Sequence, residues 1–229
     1  MNKFYASRLA FINEALDETR PHEPRSILDV GFVGDIHEKR FHYFLVDALK
    51  KDDRLLGIDI DEAGVNEFLA SEETQARRKE KDLKYQVMSI SDNTFNDNEF
   101  DLVWMFETFE HLISPYAVLH EVHRILKPGG ALIMTYPSPL DLKRLVRYMF
   151  RKDLLDERYL EDFKGNPDHK VFPHPVCMSL YLQRVGFEVK RIGFLKFNFR
   201  YALLNALLSR ITPMQRLASN IGIHAVKTG

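Results

Sequence analysis

Residues 29–35 read DVGFVGD after a short apolar run, and residues 57–61 read GIDID after another. A glycine that follows a strand can take a positive φ and lets a ligand approach the backbone closely. A helix beginning just beyond it offers free N–H groups to a carboxylate or phosphate. Gly31 and Gly34 stand at such a turn. Asp59, at the end of the second run, can accept two charge-assisted hydrogen bonds from a ribose diol. Both Asp59 and Asp61 could instead cap the helix that follows; Asp61 suits the cap and Asp59 the ribose. The dinucleotide fingerprint G-x-G-x-x-G is absent, because Val33 and Ile36 occupy its second and third glycine positions. Asp59 also follows Gly31 by 28 residues, longer than the roughly 20 of dinucleotide folds. A nicotinamide-dependent oxidoreductase is therefore disfavoured.

A second group with chemical potential is Glu110-His111. His111 is the candidate general base for an oxygen or nitrogen acceptor, and the alternative is that the pair caps and braces the next segment. His169 and His174 read as structural, with His174-Pro175 as an N-cap and first helical residue. No histidine–acid spacing argues for a metal. The lone Cys177 excludes an intrachain disulfide and reads as a small buried hydrophobe. Residues 140–152, LDLKRLVRYMFRK, carry five basic residues and one acid among apolar ones. That pattern fits a helix with one face on the domain and a solvated charged face, or one that meets an anionic lipid. The later KFNFRYALLNALLSRI could be a lid, a dimer surface or a lipid-facing helix.

With 229 residues, 45% of them hydrophobic, the chain suits one α/β domain with room for an insertion. Its formal charge of −1 gives no global reason to expect nucleic acid as a partner. No segment reaches the roughly 18 consecutive apolar residues of a membrane span, and the N-terminus makes a poor signal peptide. The expected compartment is the cytoplasm.

The elements that must position these residues follow from periodicity. Phe4, Leu9, Ile12 and Leu16 predict an opening helix within about residues 1–22. Strands are expected at Ser26–Val30, Leu55–Ile60, Tyr85–Ser89, Phe100–Phe106 and Ala131–Tyr136. Helices are expected at Ile36–Lys50, Glu62–Ala70 and Pro115–Leu126. The charged run Glu72–Lys84 reads as a solvated helix end and loop, and Lys127–Gly130 as a turn. Helical segments at Leu140–Phe150 and Asp153–Glu161 form an insertion, about 138–175, between strands five and six. A helix at Val176–Val185 and strands at Glu188–Phe194 and Asn220–Val226 complete a single domain. Alternating strands and helices imply a mostly parallel sheet covered on both faces, with ligands beyond the strands' carboxyl ends.

Five segments in order resemble the class I S-adenosylmethionine (SAM)-dependent methyltransferases. ILDVGFVGD is similar to the first motif, LD-x-G-x-G-x-G, and GIDID to the second-strand acid. FNDNEFDLVWMFETFEHL resembles the run through strand four. LHEVHRILKPGGALIMTYPSP resembles L-x-E-x-x-R-x-L-K-P-G-G-x-L, and HKVFPHPVCMSLYLQRVGFEVKRI the later H-x-x-F…G-F-E-V segment. The resemblance implies a Rossmann-like seven-stranded methyltransferase sheet, mostly parallel with an antiparallel final strand, and SAM as cofactor.

The same likeness assigns residues. Asp29, Gly31, Phe32 and Gly34 fall in the loop that holds the amino-acid end of SAM. Asp59 matches the ribose acid and Ile60 packs beside the adenine. Ser89 stands where an acid commonly receives the adenine amino group, with Ile90 next, and Phe106 ends strand four. Val33 and Asp35 occupy places where the family usually has glycine, so the loop must use ordinary dihedrals or be reshaped. The expected activity is methyl transfer to a small-molecule, lipid or saccharide acceptor, at oxygen. The alternative is a methyltransferase-like binding or scaffold protein with a degenerate cofactor loop. Peripheral membrane contact is the disfavoured reading.

Overall fold

Alternate residues of each central strand face opposite layers, and the apolar sequence of this chain fills both. Leu28, Val30, Val103, Met105, Leu132 and Met134 face one cluster; Ile27, Leu102, Trp104, Ala131 and Ile133 face the other. Such strands, buried on both sides, are nearly continuously apolar. The computed structural model describes residues 3–19, 24–33, 42–43, 45–142, 145, 149, 170–171, 173–196 and 216–229.

The opening helix α1 spans Lys3–Glu18 and β1 spans Ser26–Val30. β2 is Arg54–Asp59, followed by α2 (Glu62–Ala70) and α3 (Glu72–Glu80). β3 is Asp82–Val87, β4 Phe100–Phe106, α4 Pro115–Ile125 and β5 Leu126–Pro137. Helix α5 (Pro175–Val185), β6 (Phe187–Lys196) and β7 (Asn220–Lys227) follow.

The seven strands are ordered β3-β2-β1-β4-β5-β7-β6. β1 to β5 run parallel, and β7 lies antiparallel to both β5 and β6. The chain builds outward from β1 to β3 and then returns to β4 on the other side of β1. That reversal opens a crevice between β1 and β4, where ligands of open α/β sheets sit. The first layer is closed by Val118, Leu119, Val122 and Ile125 of α4 with Met178 and Leu182 of α5. The second is closed by Leu9, Phe11, Ile12 and Leu16 of α1 with Leu45, Val46 and Leu49. Helix α1 is also tied to the sheet: Glu14 and Glu18 pair with Arg191, and Glu18 lies 3.1 Å from buried His224.

Three local expectations are corrected. The run Glu72–Lys84 is a true helix over Glu72–Glu80 (α3) and, past Lys81, enters β3 three residues before the expected start. Ser71 caps it by accepting from Thr74 N–H, and Arg77 joins it to Asp47 and pairs with Glu73 one turn earlier. Lys127–Gly130 lies within β5 as an irregularity: Leu126 pairs with Phe100 and Ala131 with Leu102. The four residues between them thus oppose Asp101, whose carboxylate holds Lys127 at 2.7 Å. Cys177 is exposed on α5 rather than buried. The first part of the expected helix Ile36–Lys50 (36–41), the helix Asp153–Glu161, most of Leu140–Phe150 and the 197–211 stretch lie outside the described residues. No helix among the described residues is long and apolar enough to cross a membrane.

Candidate functional site

The carboxyl end of β1 turns at Gly31, whose φ is 79°. Its N–H donates to Ile58 O at 2.9 Å, which keeps β1 and β2 together to their ends. A Cβ on Gly31 would lie 2.4 Å from Thr108 Oγ1 and 2.6 Å from its Cγ2. Thr108 needs that position, because its hydroxyl lies 3.0 Å from the carbonyls of both Val30 and Phe106. Glycine therefore satisfies two demands at once, the left-handed backbone and the close approach of β4's end.

Asp59 closes β2 with both carboxylate oxygens engaged by backbone. Val33 N–H donates to Oδ2 at 2.9 Å and Asp61 N–H to Oδ1 at 3.0 Å. Burial raises its pKa above the ordinary carboxylate value, against the lowering effect of hydrogen bonds from Asp61, Val33 and Ile60. Each oxygen retains acceptor capacity for a further donor. Asp61 caps α2 by accepting from Gly64 N–H at 3.0 Å, so the cap falls to Asp61 and not to Asp59. Past β3, Ser89 Oγ accepts from Ser91 N–H at 3.1 Å.

Behind this edge lies a buried polar chain. Asp29 Oδ2 is 2.6 Å from His42 Nδ1, and His42 Nε2 is 3.0 Å from the Tyr85 hydroxyl. Asp29 and His42 are each 3% exposed. Burial pushes the Tyr85 phenol well above its ordinary pKa, so it stays protonated. Phe32 packs over this chain, its ring centroid 5.6 Å from His42 and 4.9 Å from Tyr85. The group anchors the start of the glycine turn from below.

The end of β4 forms the other rim. Glu107 has φ 50°, a conformation most side chains avoid. It is held there by tertiary bonds: its N–H donates to Thr135 O at 2.9 Å, and its carboxylate accepts from Thr135 Oγ1 and Asn220 Nδ2, each at 2.8 Å. Arg8 of α1 pairs with the same carboxylate at 3.3 Å, both side chains nearly buried. The next turn carries Glu110, fully buried, and His111. Lys170 and Val171 cross over this turn, their N–H groups donating to Glu110 O at 2.6 and 3.3 Å. Lys170 Nζ donates to His111 O at 2.9 Å.

These rims enclose a cavity of about 740 Å³ over the carboxyl ends of β1, β2 and β4. Gly31, Asp59, Ile60, Ser89, Ile90 and His111, all singled out from the sequence, line it. Asp29 and Phe32 stand behind its wall, and Phe106 beside Trp104, outside the lining. Gly34, Asp35 and His169 lie outside the described residues. His174 caps α5 by accepting from Val176 N–H at 3.3 Å. Among the described residues no cluster of His, Cys, Asp or Glu could hold a metal ion.

The family profile described as "Methyltransferase domain" matches residues 40–134, the segment running from before β2 to near the end of β5. Over that segment the chain is similar to methyltransferase domains, and it shares the fold of SAM-dependent methyltransferases. A SAM-dependent methyltransferase from Archaeoglobus fulgidus shares the fold with a TM-score of 0.63 at 16% identity, covering 96% of this chain and 94% of that one. The ubiquinone biosynthesis O-methyltransferase of Pseudomonas syringae pv. tomato is 25% identical over 213 residues, 91% of this chain and 79% of its own. The glycine/sarcosine/dimethylglycine N-methyltransferase of Actinopolyspora halophila is 36% identical over 100 residues, but only 16% of its own length.

For a class I methyltransferase the cofactor is SAM, and the cavity fits it on its own terms. Gly31 leaves a cradle that a Cβ would fill, Asp59 offers a hydrogen-bonded acid, and Ile60, 75% exposed, presents an apolar flank. The reading from sequence did not weigh Glu107, Thr108 or Lys170, which also line the cavity. Thr108 and Glu107 were visible only as members of the FETFEHL run. Nothing local in the sequence distinguishes Lys170, whose place depends on the crossing of two distant segments.

Proposed function

We propose that this methyltransferase transfers the methyl group of SAM to a hydroxyl oxygen of a small-molecule acceptor, with lipid and saccharide acceptors within that class. The observation that carries the reading is the single cavity joining the Gly31–Asp59–Ser89 edge to the Glu107–His111 rim. The likeness to an O-methyltransferase over most of both chains supports oxygen as the acceptor atom.

In this reading Asp59 accepts from the ribose hydroxyls, and Ile60, Ser89 and Ile90 border the adenine. Gly31 lets the amino-acid end lie against the backbone, while Asp29, His42 and Phe32 hold the turn in place without contact. Gly34 belongs to the same loop, and Phe106 supports the β4 end. When bound, SAM supplies a methyl group activated on a sulfonium. The protein's part is alignment and exclusion of water. His111 would take the acceptor's hydroxyl proton when SAM, held on the opposite side of the cavity, supplies its methyl group. Glu107, held by Arg8, Thr135 and Asn220, fixes the rim from which His111 projects.

Incubation with methyl-labelled SAM and a panel of phenols, saccharides and lipid alcohols tests this. Label recovered as a methyl ether, with turnover reduced about 10²–10⁴-fold in His111→Ala, is the expected outcome. Label found only on amines, or full turnover in the variant, refutes the corresponding part.

A further inference from the structure

The lining of the cavity is unevenly charged. Asp59, Asp61, Glu67 and Glu107 contribute acids, and Lys170 contributes the one lysine or arginine among the described lining residues. Acids suit a pocket for a donor that carries a sulfonium and an ammonium against one carboxylate. A lysine does not, because two cations in a half-enclosed cavity repel.

Among the described residues Lys170 has no acidic partner, and its ammonium donates to the His111 carbonyl at 2.9 Å. A carbonyl offers a dipole and takes one of three N–H donors, so the positive charge and two donors remain. The group is also placed on purpose: its own backbone N–H is fastened to Glu110 O at 2.6 Å. The ammonium is thus held at the His111 turn, on the side of the cavity away from β2 and β3.

We infer that Lys170 is a specificity-determining residue that selects acceptors bearing a carboxylate near the hydroxyl to be methylated. This rests on the proposed function, with His111 at the reacting hydroxyl. An acceptor anion between the lysine and the sulfonium removes their repulsion and gains a charge-assisted hydrogen bond. A single lysine matches a monoanion, since a second negative charge would find no further lysine or arginine among the described lining residues.

The test uses the whole chain saturated with S-adenosylhomocysteine and a matched probe pair, 3,4-dihydroxybenzoate and 3,4-dihydroxybenzamide, titrated calorimetrically at neutral pH. The acid is expected to bind about five- to twentyfold tighter than the amide, the span from an exposed ion pair to a charged hydrogen bond. That ratio should collapse to near one in Lys170→Gln, persist in Lys170→Arg, reverse in Lys170→Glu, and shrink with added salt. Equal affinities in the unsubstituted protein, an unchanged ratio in Lys170→Gln, or binding of neither probe at millimolar concentration overturns the inference. Binding of S-adenosylhomocysteine itself, read in the same cell, separates this failure from a failure of the proposed cofactor pocket.

Discussion

Replacing Gly31 by alanine should damage both fold and site, and the two contributions can be worked separately. An alanine at φ 79° occupies the left-handed region at about 1–2 kcal/mol. Its Cβ, 2.4 Å from Thr108 Oγ1 and 2.6 Å from Cγ2, then forces Thr108 or β4 to shift, at about 1–3 kcal/mol. The sum, about 2–5 kcal/mol, corresponds to a fall in Tm of roughly 5–20 °C for a chain of this size. Thr108→Ala alone should lose its tie to Val30 and Phe106, about 0.5–1.5 kcal/mol. In the double variant the two shortest overlaps disappear, and a 3.1 Å contact with the residue-108 Cβ and the backbone strain remain with the lost tie. A urea-denaturation cycle should therefore show favourable coupling of about 1–3 kcal/mol between the two sites. If Gly31→Ala loses less than about 0.5 kcal/mol, or the coupling is nil, the close approach of β1 and β4 does not govern this turn.

Arg8→Met removes the counter-charge of nearly buried Glu107 and should destabilise by about 1.5–3 kcal/mol in urea; an unchanged midpoint would mean solvent replaces the arginine freely. His224 gives the fold a pH dependence of definite sign. It is 1% exposed, and burial holds its pKa below the ordinary imidazole value despite Glu18. The ring is neutral in the fold and gains a proton in the unfolded chain below about pH 6.5. Its contribution is thus fully present above that pH and is lost as pH falls toward the depressed folded value. Tm should fall from pH 7.5 to pH 5.5 (about the span over which the unfolded imidazole charges), and less so in His224→Gln. Equal slopes would assign the effect to other groups.

Much of the architecture could be read before the structure because the central strands are apolar on both faces. Ser26–Val30 and Phe100–Phe106 begin and end as their apolar runs do. Glu62–Ala70 could be placed because Asp61 is a good cap and its carboxylate does cap. The next helix was less legible, since α3 buries only Thr74 and so has no apolar stripe. Its support is tertiary, through Arg77 to Asp47 and over the Tyr43 ring at 4.4 Å. The Gly31–Asp59 edge of the cavity was legible for a different reason: glycine at a strand end and an acid at the next are local requirements of the turn. The opposite rim was not. Glu107 takes a positive φ only because Arg8, Thr135 and Asn220 converge on it from three elements. His42 likewise gains its meaning from Asp29 and Tyr85, partners that no spacing rule would join.

Titration of SAM into the intact protein and into Asp59→Ala tests the central assignment most directly. The assignment predicts measurable binding by the unsubstituted chain. It also predicts a loss of about 1.5–3 kcal/mol, roughly 10- to 150-fold in Kd, in the variant, with Asp59→Asn intermediate and both variants folded by circular dichroism. Unchanged affinity in folded Asp59→Ala, or no binding by the unsubstituted chain at millimolar SAM, would contradict it.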